Sequence, residues 1–401
     1  MNSVLLDVDQ TTGRVRSIER TNFRLDRASS FCLAAFLAAV RSMKRAGIPA
    51  PFCSASAYNR LSMLRRAQLL VVSLLFSAAI AFGWNSSPAT NQVKDLDRQI
   101  FARARMFPEV GPGVSELKRD AAGRYYVLAA PANAIFIYDA DGKRSGQIPG
   151  MNQSDARIVF AQDFDLDQSG RVIVADRGAN AVKIFAPDGS LSSTTPVATP
   201  TSVVALSGGE FAVTSLSSKH LVSVFDANGL LVRSFGDPIG AAERANVNPL
   251  TNRGRISGDP AGHIYFAFTN LSDPTIREYD RFGYGAYVLA LTAAEFGTSA
   301  QDQRKDIFGI ERRNDAASAK PVIGAVGVDL ATQQVWVAIG SSLVQFDKDG
   351  TRLLTYHTVT KDGLRIEASA ILIEPDRLLL ADDPIGIFDF ARPDKPQPAT
   401  P

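Results

Sequence analysis

The chain is poor in the residues that mark many functional classes. Of its 401 residues, two are cysteine, three are histidine and only 8% are aromatic. Both cysteines, Cys32 and Cys53, fall in an N-terminal leader. The body that follows has none, which excludes a disulfide framework, a zinc–thiolate site and a cysteine nucleophile there. Its stability must come from a packed core, which a body of this size can supply. Charge of one sign is also scarce, with 43 Lys+Arg against 41 Asp+Glu. The basic excess sits in residues 1–81, which hold 11 Lys+Arg and 4 Asp+Glu. The remainder is slightly acidic, and this argues against a nucleic-acid partner, whose phosphates need clustered cations. There is no Gly-x-Ser-x-Gly elbow, phosphate loop or dinucleotide fingerprint in a strand–helix setting. Asp163-x-Asp165-x-Asp167 starts like a calcium loop but lacks the later Gly and Glu.

Long apolar runs are limited to one. Met63-Leu64-Arg65-Arg66 precedes the run Ala67–Phe82, which is interrupted by Gln68 and two serines. Ala79-Ile80-Ala81 supplies the small-x-small pattern of a signal-peptidase site. The run is shorter than the ~20 apolar residues of a spanning helix. It predicts a helical secretory signal or, if retained, an N-terminal anchor giving membrane attachment through residues 67–82. Residues 1–62 are Rich in Arg and poor in acid, with no clear strand pattern. They are expected to be a spurious or disordered extension, with translation starting at Met63. The expected product is exported to the periplasm or the cell exterior, or held at the membrane.

From Val114 the chain repeats a short unit of apolar strand, polar turn and further β-rich strands. Copy one reads Asp120-Ala-Ala-Gly123, RYYVLA, AIFIYD and Asp141-Gly142. Copy two reads Asp167-Gln-Ser-Gly170, RVIVAD, AVKIFA and Asp188-Gly189. Later copies follow at Gly208-Gly209, Asp259–Gly262, Asp329–Thr332 and Glu374–Arg377. Asp-Gly and Asn-Gly supply the positive φ of tight hairpins, and the flanking runs alternate at period two. Four short antiparallel strands per unit, with a period of roughly 40–45 residues, predict a β-propeller.

The stretch Asp167-Gln-Ser-Gly-Arg-Val-Ile-Val-Ala-Asp176-Arg-Gly-Ala-Asn180-Ala-Val-Lys-Ile-Phe185-Ala-Pro-Asp188-Gly189 resembles an NHL-type repeat. That resemblance implies an all-β, six-bladed β-propeller of four-stranded antiparallel blades over residues 99–391. The sixth copy ends near Phe390 without an outer strand. The alternating segment Gln99–Phe107 is expected to supply it and so close the ring, since an open ring leaves bare sheet edges. Residues 63–98 are then signal or anchor plus linker, and residues 392–401 a flexible Pro-rich tail.

With strands lettered a to d from the axis outward, a–b and c–d turns share one face. The b–c and d–a connections share the other. Both long insertions, Asp237–Thr251 and Thr292–Pro321, fall on this second face, where unrepetitive loops tend to carry function. Thr292–Phe296 and Gln301–Arg313 are expected to form short capping helices. The inner strands line a channel, and its polar residues are Glu116, Lys118, Asp163, Asp165, Arg253 and Arg255. They are the candidate ligand-binding set at the channel mouth; compensating salt bridges in a solvated channel are the other reading of the same charges.

His220, His263 and His357 occupy unlike positions within their copies. A three-histidine zinc site of the amidating-lyase type is therefore not expected. A lactonase of the gluconolactonase type would need Glu, Asn and Asp around one divalent ion. Glu116, Asp163, Asp165 and Glu367 are the available carboxylates. The expectation is a binding or scaffold module, rather than an enzyme, for a protein or small polar ligand, with no cofactor, no metal ligands and no assigned catalytic residue. The alternative is a metal-dependent hydrolase or lactonase using the channel-mouth carboxylates and a divalent cation.

Overall fold

The computed structural model describes residues 2–8, 15–22, 98–129, 133–150, 156–289, 291, 293–313 and 320–395. The chain divides into two units, Met1–Thr90 and Asn91–Pro401. In the first, β1 (Asn2–Val8) pairs antiparallel with β2 (Val15–Asn22). Strand structure is thus present where the composition suggested none. In β1 the apolar residues Val4-Leu5-Leu6 are contiguous and give no period-two signal. The apolar run 67–82 and its cleavage motif lie outside the described residues, and no described helix is long and apolar enough to cross a membrane.

The second unit starts with β3 (Arg98–Met106) and continues through the repeats. Copy one forms β4 (Val114–Arg119), β5 (Tyr125–Ala129), β6 (Ala134–Tyr138) and β7 (Arg144–Ile148). Copy two forms β8 (Ala161–Leu166), β9 (Val172–Asp176), β10 (Ala181–Phe185) and β11 (Leu191–Pro196). Copy three forms β12 (Pro200–Ala205), β13 (Phe211–Ser215), β14 (Val222–Phe225) and β15 (Leu231–Phe235). Copy four forms β16 (Gly254–Gly258), β17 (Ile264–Phe268), β18 (Ile276–Tyr279) and β19 (Gly285–Leu289). Copy five forms β20 (Ile323–Val328), β21 (Val335–Ile339), β22 (Ser342–Phe346) and β23 (Arg352–Val359). Copy six has only β24 (Ala370–Ile373), β25 (Arg377–Asp382) and β26 (Gly386–Ala391).

The first four copies are antiparallel four-stranded sheets in simple sequence order. Their c–d turns show why Asp-Gly is used. In copy one Asp139 Oδ1 accepts from the amides of Asp141 (3.1 Å) and Lys143 (2.8 Å). Gly142 then takes φ +81°, and the ladder shifts register between Ile137 and Tyr138. A glycine bulge of this kind tightens the turn and adds twist.

β3 completes copy six, as the sequence predicts. Ala102–Met106 pairs antiparallel with β26, and Arg103 Nη2 donates to Asp389 Oδ1 at 2.8 Å. The first half of the same strand, Arg98–Phe101, pairs parallel with Tyr356–Val359 of β23. Copies five and six are therefore one eight-stranded sheet, joined through β3. Parallel pairing between adjacent blades leaves no mark in the alternation of either strand.

The core lies between consecutive sheets. Tyr126, Leu128, Phe164 and Val174 join copies one and two, and equivalent clusters follow around the chain. The cluster of Tyr125, Val127, Leu379 and Ala381 joins copy six back to copy one. Inner strands contact one another in the order β4, β8, β12, β16, β20, β24 and again β4. Sheets packed face to face around an axis make a β-propeller.

The insertions carry α1 (Asn248–Thr251), α2 (Ala293–Phe296) and α3 (Ser299–Arg313). The last two match the expected helices, with α3 starting two residues earlier. α3 ties the inserts together: Glu311 Oε1 accepts from the Glu243 amide at 2.7 Å, and Arg244 Nη1 donates to Glu311 O at 2.7 Å. The chain end also differs from the expected tail. Arg392 is 1% exposed and donates to Asp329 Oδ2 (2.8 Å) and to both oxygens of Asp394 (2.8 and 2.7 Å). The chain is thus anchored to Asp394, while residues 396–401 lie outside the described residues.

Candidate functional site

Four of the inner strands begin with a register shift: at Ser115 in β4, Gln162 in β8, Thr201 in β12 and Gly324 in β20. The extra residue of a bulge leaves the ladder locally unpaired. Arg255 on β16 answers this across the axis. Its guanidinium donates to the Gly324 carbonyl at 3.3 Å and to the carbonyls of Ser115 and Ser369. It also stands 3.8 Å from Glu116 Oε2. One side chain therefore links four blades through the middle of the ring.

The carboxylates hold neighbouring inner strands together. Asp163 is buried; Oδ1 accepts from the Phe164 amide (2.8 Å), and Oδ2 accepts from Ser202 Oγ and the Val203 amide (3.2 Å). Asp165 Oδ2 accepts from the Ala205 amide at 2.9 Å, while Oδ1 lies 3.5 Å from Lys118 Nζ. Lys118 Nζ is also 3.8 Å from Glu116 Oε1. An inner strand has one edge without a ladder partner, and these side chains supply acceptors for it.

Five of the six sequence-predicted residues thus form one axial network: Glu116, Lys118, Asp163, Asp165 and Arg255. Arg253 stands apart, donating from Nη2 to Gln162 Oε1 at 2.7 Å. Burial and then the nearby Glu116 charge push the Asp163 carboxyl up to about 7, against the pull of Arg255, Lys118 and Ser202. Burial would lower Lys118, but the charges of Asp165, Glu116 and Asp163 outweigh it and raise its pKa. Arg253 is lowered by burial first, then by the like charges of Arg177 and Arg255.

Because the folded value of Asp163 lies above its unfolded value, the folded chain holds an extra proton between about pH 4 and 7. Stability is therefore expected to fall as pH rises through that window. Urea midpoints measured from pH 5 to 8 should show this slope, and Asp163→Asn should remove it. An equal slope in the variant would refute the assignment.

The second face carries open space. A cavity of about 540 Å³ lies over copies five and six, lined by Lys320, Gly340, Arg365, Glu367, Asp382 and Asp383 among others. Another of about 490 Å³ shares Ser299, Gly340, Arg365 and Glu367 with it and includes His357. Cavities of about 480 and 210 Å³ lie along the inserts, beside α3 and beside His220. Lys320 Nζ pairs with Glu367 Oε2 at 2.9 Å, and Asp383 Oδ1 accepts from the Gly113 amide at 2.7 Å. Asp382 is raised by burial and by Glu367 and Asp383, and its Oδ2 accepts from the Glu367 amide at 2.6 Å.

The three histidines have separate surroundings. His263 Nδ1 contacts Asp259 Oδ2 at 2.8 Å, His357 Nδ1 contacts Ser342 Oγ at 3.3 Å, and His220 borders the smallest of these cavities. Among the described residues no group of three or more His, Cys, Asp or Glu is arranged to hold a metal ion. Sequence reasoning missed Gln162, Arg177, Arg365 and Asp382. The bulge at Gln162 breaks the alternation that pointed to Asp163 and Asp165; Arg177 and Arg365 lie on connections, and Asp382 ends β25 rather than standing on an inner strand.

The fold and this central belt define a β-propeller whose two faces differ, one of tight turns and one of inserts and cavities. No family model and no curated protein matches the chain. Among solved structures it is similar to a streptogramin B lyase, with a TM-score of 0.47 at 12% identity over 71% of this chain and 85% of that one. It is also similar to selenomethionine-substituted virginiamycin B lyase from Staphylococcus aureus, with a TM-score of 0.46 at 12% identity over 72% of this chain and 98% of that one. A catalytically inactive virginiamycin B lyase from the same organism, with quinupristin, gives 0.47 at 11% identity over 72% and 98%.

Proposed function

We propose that this chain is an exported six-bladed β-propeller of NHL-like type. It acts as a binding or scaffold module for a protein or small polar ligand through its insert-bearing face. The observation that carries this reading is the placement of the cavities. All four just described are bordered by inserts, b–c loops or the starts of inner strands. Three of them have the size of ligand pockets in general. The sheets beneath hold these loops in place, so little ordering entropy is lost on binding. Export rests on the leader's charge and apolar pattern, as does membrane attachment. The hydrolase alternative has less support, because the oxygens of Asp163 and one of Asp165 already serve backbone and hydroxyl donors.

The test is a thermal-shift screen of the full chain against small polar compounds and divalent cations. Native-state ligands raise the melting temperature by mass action. A hit in the cavities over copies five and six should lose its shift in Arg365→Ala and in Gly340→Asn, which adds bulk to the wall those two cavities share. Ligand shifts indifferent to both changes, but abolished by Asp163→Asn, would replace this reading with the axial alternative.

A further inference from the structure

At the axial mouth on the insert-bearing face Arg253 Nη2 meets Gln162 Oε1 at 2.7 Å, and the turn that carries Arg177 packs beside the start of the Gln162 strand. Arg253 immediately precedes β16, and its backbone is pinned by Thr269, whose amide (3.0 Å) and hydroxyl (3.1 Å) both donate to the Arg253 carbonyl. Gln162 is the bulge residue of β8. Arg177 opens the tight turn after β9, where the Gly178 amide donates to Phe160 O at 3.3 Å. A Cβ on Gly178 would lie 2.7 Å from Val159 and 2.9 Å from Phe160, so this turn sits hard against the start of β8.

The chemistry left over at this point is one-sided. Gln162 spends its carbonyl on Arg253, so what it still offers is its NH₂ group. Among the described residues no carboxylate pairs with Arg177 or Arg253, and after burial the positive charge of Arg177 helps to lower the Arg253 pKa. The neighbouring acids are engaged: Asp176 with Lys183 at 2.9 Å and with the Val159 and Phe160 amides, and Asp163 with the inner strands. Just below, Arg255 is occupied by carbonyls. A folded chain that places two cations and an amide donor here, with the neighbouring carboxylates of Asp163 and Asp176 in use, is complementary to an anion.

We infer that Gln162, Arg177 and Arg253 form a binding site for an oxyanion, the phosphate or carboxylate group of a small ligand. The planar forks of two arginines suit two oxygens of such a group. The inference deepens the reading of this face as a binding surface and stands on residues separate from the cavities over copies five and six. Arg177 and Arg253 act here as direct ligands, and Gln162 both orients Arg253 and donates.

Calorimetric titration of the full chain with inorganic phosphate, and separately with acetate and citrate, tests this at fixed ionic strength. Saturable binding is expected, and the arms show whether phosphate or carboxylate is preferred. Arg253→Gln and Arg177→Gln should each weaken binding about tenfold, the usual scale for one charge-assisted contact. Without anion, each change should leave the melting temperature unchanged or raise it, because one like charge is removed. A purely structural role would lower it instead. Arg177 lies on a surface turn, so its variant remains informative if Arg253→Gln fails to fold. No saturable binding of any of the three anions, or binding that both variants keep, overturns the inference. Ligand shifts that still depend on Arg365 would then leave the wider reading standing. Loss of both would remove both.

Discussion

A chain beginning at Phe107 is expected to lose cooperative unfolding, whereas one beginning at Asn91 keeps it. β3 is the fourth strand of copy six and also the parallel neighbour of β23, so its removal bares the edges of two blades at once. Phe390 is fully buried, Phe388 nearly so, and Ala102 packs in the same cluster. Exposing even one such phenylalanine costs on the order of 2–3 kcal/mol. The unpaired edge of β26 would then be free to add strands from other molecules. Size-exclusion chromatography and near-ultraviolet circular dichroism of the two truncations would decide the matter. A monomeric, sharply melting chain without β3 would show that the ring does not depend on this strand. A milder form of the test is Ala102→Pro, at the position paired with Phe390, where proline has no amide to give a ladder.

Replacing Arg392 by Met should cost about 3–5 kcal/mol, the usual penalty for breaking a buried ion pair from one side. Arg392 joins Asp329 of copy five to Asp394, contacts the Glu374 carbonyl at 3.2 Å and lies over the Trp336 ring at 5.9 Å. The methionine would keep much of the volume and leave both carboxylates without their cation. Burial alone would raise Asp329. Hydrogen bonds from Thr332, Ala331 and Arg392 outweigh it and lower its pKa, and Asp394 is lowered mainly by Arg392 against the same burial cost. Folded values below the unfolded ones mean stabilisation that is complete above about pH 4 and lost as pH falls through the folded values. Urea unfolding at pH 7 should therefore show a large loss in the variant. Between pH 4 and 2 the variant's stability should fall less steeply than that of the parent chain. Equal midpoints at pH 7 would mean that the arginine is not needed there.

The repeat was legible because each unit is local. Asp-Gly turns and period-two runs occupy the same short stretch, and both kinds of signal point to one strand pattern. Even the long-range closure could be read, since copy six visibly lacked a strand and Gln99–Phe107 had the alternation to supply it. The second role of that strand could not, because parallel pairing with β23 uses backbone groups and asks nothing of the side chains. The same limit applies at the axis. Glu116, Asp163 and Arg255 were found by alternation, but two of the three carbonyls that Arg255 serves lie at the bulges of Ser115 and Gly324. A bulge adds one residue without a distinctive composition, so Gln162 stayed hidden while its neighbour did not. Arg392 was concealed in another way: prolines and a lysine around it have the composition of a tail, and only the packed structure shows a guanidinium over Trp336.

The strand that completes the sixth copy precedes everything it must hold. Arg103 and Asp389, which bond across it, are 286 residues apart. During synthesis β3 emerges before any blade and stays without its partners until almost the whole domain has been made. Pairings this distant in the chain make for slow folding. A nascent chain halted before Ile387 should therefore keep Ala102–Met106 of β3 open to proteases, and the final latching step should wait for release of the C-terminal residues.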